Sequence, residues 1–124
     1  MLTFEDYKYT RPDMNELSKQ FHALLENFQQ ASSFEDQSAI IEQINTITRN
    51  YSTQENIMYI RSSIDTNDSF YQQERDVFDE IGPQFQALQS EYYKALLTTP
   101  FRGDLEAKWR PQLFALAENA IRSY

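Results

Sequence analysis

Apolar side chains recur along this chain at spacings of three and four. Met14, Leu17, Phe21, Leu24 and Phe28 form one seam, and Asp13 with Glu16 three residues later gives a start resembling a capping box. The spacing predicts a first amphipathic helix from about residue 14 to Gln30. After the turn Ala31–Ser33, Ile40, Ile44, Ile47, Tyr51 and Met58 continue the rhythm, while Ile57, Ile60 and Ile64 form an offset second stripe. Neither Gly nor Pro falls between 34 and 65, so one helix of about 30 residues, near 45 Å long, is expected. The polar run Ser52–Asn56 is its weakest point, and a break there is the alternative.

A turn at Asp65–Asp68 precedes a third helix, with Phe70, Val77, Phe78, Ile81, Phe85, Leu88, Tyr92 and Leu96 facing inward. Gly82-Pro83 should kink it or break it for a turn, because proline lacks the N–H and clashes one turn back. Thr98–Gly103 reads as a third turn, and Asp104 as the cap of a fourth helix carrying Leu105 and Trp109. Pro111 suits the first turn of a restart that carries Leu113, Phe114, Leu116, Ala117, Ala120 and Ile121. The pattern runs to Tyr124 without a stop signal, which reads as a chain cut from a longer protein. The expected fold class is all-α: an antiparallel bundle of about four helices built on a long helical hairpin, with residues 1–124 forming a single N-terminal helical domain or fragment.

Composition narrows the function classes. Two glycines and four prolines are too few for the turns of an all-β fold. The absence of cysteine excludes disulfides, thiol nucleophiles and Cys-based zinc sites. The net charge is −8, and residues 1–91 hold 16 of the 19 acids but 6 of the 11 bases. With no clustered Lys or Arg, no nucleic-acid partner is expected. No signal peptide and no run of about 20 apolar residues is present, so no membrane partner and a cytoplasmic location are expected. The glycosylation patterns at Asn50 and Asn67 are then chance matches.

Three places look like sites. Asp65, Asn67, Ser69, Gln73 and Asp76 occupy positions 1, 3, 5, 9 and 12 of a calcium loop, but Phe70 stands at the required glycine and Asp76 at the required glutamate. A polar turn with a helix cap accounts for the same residues, and Phe70 is expected in the core. His22 is the sole histidine. A helical zinc peptidase site needs two, four apart, and a di-iron bundle needs Glu where Lys19 stands. Glu74, Asp76, Asp79 and Glu80 could pair carboxylates. A solvated acidic face opposite Val77, Phe78 and Ile81 explains them better, with Arg75 and Lys94 the nearest bases in sequence. The residues themselves therefore offer no catalytic, cofactor-binding or metal site.

The stretches YTRPD (9–13), IRSSIDTNDSFYQQERDVFDEIGPQF (60–85) and LFALAENAIRSY (113–124) together resemble the N-terminal part of oligoendopeptidase F, a bacterial zinc metallopeptidase family related to thimet oligopeptidase. The resemblance spans about Phe4 to Tyr124. It implies an almost wholly helical protein that encloses a channel and hydrolyses short peptides. It further implies a zinc ion held by an HExxH helix and a downstream glutamate, all in the later part of the family's chain. None of those residues has a counterpart here. The implied role is a non-catalytic scaffold and channel wall that packs against the remainder of the parent chain. The alternative is an autonomous helical protein–protein interaction module. The two apolar stripes of the second helix, with Leu113, Leu116, Ile121 and Tyr124, further predict that the isolated segment self-associates.

Overall fold

The structure is a computed structural model that describes residues 8–64, 69–109 and 111–122. Its elements are α1 (Met14–Gln30), α2 (Phe34–Ile64), α3 (Ser69–Thr98), α4 (Arg102–Trp109) and α5 (Pro111–Arg122), with no strand among the described residues. The fold is all-α. The caps at the first two starts are the expected ones. The Asp13 carboxylate accepts from the Glu16 N–H at 3.2 Å, and the Ser33 hydroxyl accepts from the Asp36 N–H at 3.2 Å.

Side-chain contacts give the helix directions. Phe21 meets Phe85 and Tyr92 edge-on, and Gln37 at the start of α2 receives a bond from Thr99 just past the end of α3. Tyr51 stacks on Phe85 at 4.0 Å and meets Phe78 edge-on. α1 and α3 therefore run the same way, with α2 antiparallel to both. α5 packs on α3 and α4. α2 crosses Ser52–Asn56 without a break, because Tyr51, Ile57 and Met58 are buried on both sides of that polar run.

Several expectations are corrected. Leu25 joins Phe21 and Phe28 in the buried face of α1, while Leu24 is only partly buried. α3 is continuous through Gly82-Pro83, so the one-turn break does not occur. Pro83 lies on the exposed side, where the missing donor is tolerated beside water. α4 begins at Arg102, so Asp104 lies inside the helix and Gly103 is not a turn residue. The start is set instead by Thr99, whose hydroxyl accepts from the Phe101 N–H and whose carbonyl accepts from the Arg102 N–H. Phe70 is 50% exposed rather than core, although its ring meets Tyr9 and Tyr71.

Two polar links lock the helix ends. Gln37 donates to the Phe28 carbonyl at 2.9 Å and accepts from the Thr99 hydroxyl at 2.6 Å. The Trp109 indole N–H donates to the buried Ser38 hydroxyl at 2.9 Å, which ties α4 to α2. Arg102 bridges Glu106 and Glu118 and lies over the Phe114 ring, tying α4 to α5.

Pro83→Ala tests what the proline does. The substitution restores a donor and removes a helix-interior cost of roughly 3 kcal/mol. Were α3 bent at Pro83, as the sequence leads one to expect, straightening it would re-aim Phe85, Leu88 and Tyr92, all buried. The expected outcome is a lower melting temperature by circular dichroism. A rise of several degrees with an unchanged structure would show that the proline has no packing role.

Candidate functional site: a buried carboxylate under an extended strap

Glu74 sits in the second turn of α3 and is 1% exposed. A lone buried carboxylate is costly, so its partners define the site. They come from the extended segment before α1. The Tyr9 hydroxyl donates to Glu74 Oε1 at 2.8 Å, and Arg11 Nε donates to the same oxygen at 2.9 Å. Arg11 Nη2 pairs with Oε2, completing a two-pronged guanidinium–carboxylate contact. The Thr10 N–H donates to Gln54 Oε1 on α2 at 2.7 Å. Residues 9–11 thus form a strap joining α2 to α3.

The electrostatics follow from these contacts. The Arg11 hydrogen bonds hold the Glu74 carboxyl below its ordinary pKa, burial opposes them, and the Tyr9 bond assists. Burial and the Glu74 hydrogen bond push the Tyr9 hydroxyl up. The Arg11 guanidinium rises through its hydrogen bonds to Glu74. Glu74 is therefore held ionised and fully engaged. It is not poised as a general acid or base, which needs a pKa near the working pH. The chemistry of this site is anchoring.

The residues singled out in sequence are not brought together. Asp65 and Asn67 of the calcium-like pattern lie outside the described residues, as does the turn Asp65–Asp68. Asp76, Asp79 and Glu80 are exposed, in keeping with a solvated face, but Glu74 departs from that face and is buried. Its base is neither Arg75 nor Lys94 but Arg11, 63 residues away in sequence. His22 is exposed, with Nε2 3.3 Å from Glu91 Oε2. Among the described residues no three His, Asp or Glu side chains gather where they could hold a metal ion. The donor set around His22 does not fit zinc, which takes three protein ligands or more. Among the described residues no helix is long and apolar enough to cross a membrane.

The strap and its carboxylate join two of the stretches that carried the resemblance, YTRPD and FYQQERD. Comparison with known proteins bears on the same point. Residues 4–124 match the peptidase M3 N-terminal domain. Among solved structures, a PZ peptidase A with an inhibitor is 45% identical, with a TM-score of 0.95 over 98% of this chain and 22% of its own. A crystal structure described as an oligoendopeptidase F from Bacillus anthracis str. Ames is 44% identical, with a TM-score of 0.95 over 100% of this chain and 23% of its own. A further structure described as an oligoendopeptidase F, at 3.1 Å, is 43% identical with the same TM-score and covers 22% of that chain. A search of curated proteins returns no match. The chain spans less than a quarter of the length of these solved structures. Matched over nearly its whole length to that domain, the chain belongs to the peptidase M3 family as an N-terminal helical segment.

Proposed function

We propose that these residues are the non-catalytic N-terminal helical part of a zinc-dependent oligoendopeptidase that hydrolyses short peptides in the cytoplasm. Residues 1–124 act there as one scaffold unit and a stretch of channel wall. The observation that carries this reading is the match over residues 4–124, together with peptidase structures of which the chain spans 22–23%. The donor chemistry supports it, since His22 and Glu91 do not make a zinc site. Zinc would supply Lewis-acid activation of water from residues elsewhere in the parent.

The surface is consistent with a segment that packs on the remainder of the parent. Ile60 is 45% exposed, Ile64 75% and Leu116 55%, each larger than a solvated helix face needs. The offset stripe of α2 is thus covered only at Ile57, which is buried. The same surface leads the isolated chain to self-associate, because about 25 cal/mol is gained per Å² of apolar area removed from water. Sedimentation equilibrium from micromolar to near-millimolar concentration should show species above 14.7 kDa. A clean monomer throughout would overturn self-association. The scaffold role has a separate test, in which a relative truncated by the matching segment is mixed with the 124-residue chain. Recovery of peptide hydrolysis is expected, and no recovery despite demonstrated binding would contradict the role.

A further inference from the structure

The extended segment 8–12 is held in a way the helices are not. Among the described residues it makes no backbone–backbone hydrogen bond. Its polar bonds to α2 and α3 end on side chains. Tyr9 and Arg11 meet the Glu74 carboxylate, and the Thr10 N–H meets the Gln54 amide oxygen. The Tyr9 ring adds edge-on contacts to Phe70 and Tyr71 and a tilted one to Phe78. Lys8, Thr10 and Arg11 are exposed, and Tyr9 is only partly buried.

The helices do not need the strap for their own backbones. α1 is capped by Asp13, whose carboxylate accepts from the Glu16 N–H and whose carbonyl accepts from the Leu17 N–H. α2 and α3 pair their backbones internally, as any helix does. Pro12 lies at the joint between strap and cap. Its ring fixes its own φ and favours an extended Arg11, so the arm keeps its shape whether docked or free. A unit held by a few side-chain bonds and one ring opens at a much lower free energy than a buried helix.

We propose that residues 8–12 form a latch that opens about Pro12 while α1 to α5 stay folded. Docked, Thr10, Arg11 and Pro12 line one side of a cleft of about 410 Å³ against α1 and α2. Open, that side is gone, the bridge from Gln54 to Glu74 is broken, and the Glu74 carboxylate has lost its guanidinium. Minor states of this kind are populated at about 0.1–10%. The latch stands whether or not the wall role does, since it is read in this chain's own amides.

Hydrogen exchange of the 124-residue chain, followed amide by amide by NMR, tests the latch. Thr10 should be protected at least tenfold less than Ile44 and Leu88, which are buried on α2 and α3. Urea up to about 1 M should leave Thr10 unchanged and accelerate Ile44 and Leu88, because denaturant sensitivity follows the surface exposed on opening. Leu96 is 0% exposed and lies near the far end of α3 from Glu74. Leu96→Ala should speed Ile44 tenfold or more and leave Thr10 alone. Should that variant not fold, Ile41→Val gives the same contrast in milder form. Arg11→Lys keeps the charge but loses the two-pronged contact, and should speed Thr10 about tenfold with an unchanged helical spectrum. Thr10 accelerating in step with Ile44, in urea or in the core variants, would show that the strap leaves only when the helices unfold. A Thr10 rate unmoved by Arg11→Lys would show that Gln54 swings away alone, and an unprotected Thr10 would show that the strap is not docked in solution. Each of these three results would overturn the latch.

Discussion

Glu74→Ala is expected to destabilise the chain by about 3 kcal/mol, seen as a drop of roughly 10 °C in the melting temperature. The substitution removes the acceptor of three hydrogen bonds, two of them from a guanidinium. It leaves the Tyr9 hydroxyl without its acceptor and frees the strap from α3. Glu74→Gln keeps the shape, loses the charge, and should cost less. Arg11→Ala should destabilise for the opposite reason, since it leaves a buried carboxylate with Tyr9 as its chief remaining partner. A Glu74→Ala chain within 0.5 kcal/mol of the parent in urea denaturation would refute the strap as a structural anchor.

The pH dependence has a definite sign. The folded pKa of Glu74 lies below the unfolded value, so its contribution is present above the unfolded carboxylate pKa of about 4.3 and lost as pH falls through the lower folded value. Glu55 works against it, because burial raises its pKa and folding then favours its protonated form as pH falls. The difference between the parent and Glu74→Gln isolates the first effect, and it should shrink below about pH 4.

A larger loss is expected at alkaline pH. The Tyr51 and Tyr92 hydroxyls are buried with no partner among the described residues. Burial, then the nearby Glu55 charge, pushes Tyr51 up to about 12. Burial, then Tyr93, pushes Tyr92 up as well. Below about pH 10 both states keep these protons and nothing changes. Above it the unfolded chain ionises while the folded chain does not, so stability falls by about 1.4 kcal/mol per pH unit for each tyrosine. Together they should remove roughly 3 kcal/mol per unit between pH 10 and 12. Tyr51→Phe with Tyr92→Phe should remove their share of the slope, leaving the part due to the raised Tyr9 hydroxyl, and be neutral or stabilising at pH 7, because no existing hydrogen bond is lost. An alkaline slope unchanged in the double variant would show that these hydroxyls are hydrated.

Much of the fold was legible because it rests on local rules. The seam Met14–Phe28 and its Asp13 cap place α1, and Ser33 places the start of α2. Tyr51, Met58, Phe78, Ile81, Phe85, Leu88, Tyr92 and Leu96 are buried where periodicity puts them. What periodicity cannot see is a polar residue turned inward. Gln37, Ser38, Ser62 and Glu74 are buried because of partners, some of them distant in sequence. Glu74 falls in a run of acids and looks like its exposed neighbours until Arg11 is placed beside it. Phe70 fails the other way, as an aromatic at the first turn of α3 with too little covering it to be core. Thr99 was missed because a hydroxyl before a helix was outweighed by an aspartate two residues inside it.

The central claim is that the family's chemistry lies outside these residues. The direct measurement incubates the 124-residue chain with zinc, removes free metal, and follows a quenched fluorescent peptide. The account predicts a flat trace and no retained zinc, since the sole histidine meets one carboxylate at the surface. Cleavage that survives repurification and disappears in His22→Ala or Glu91→Gln would contradict it.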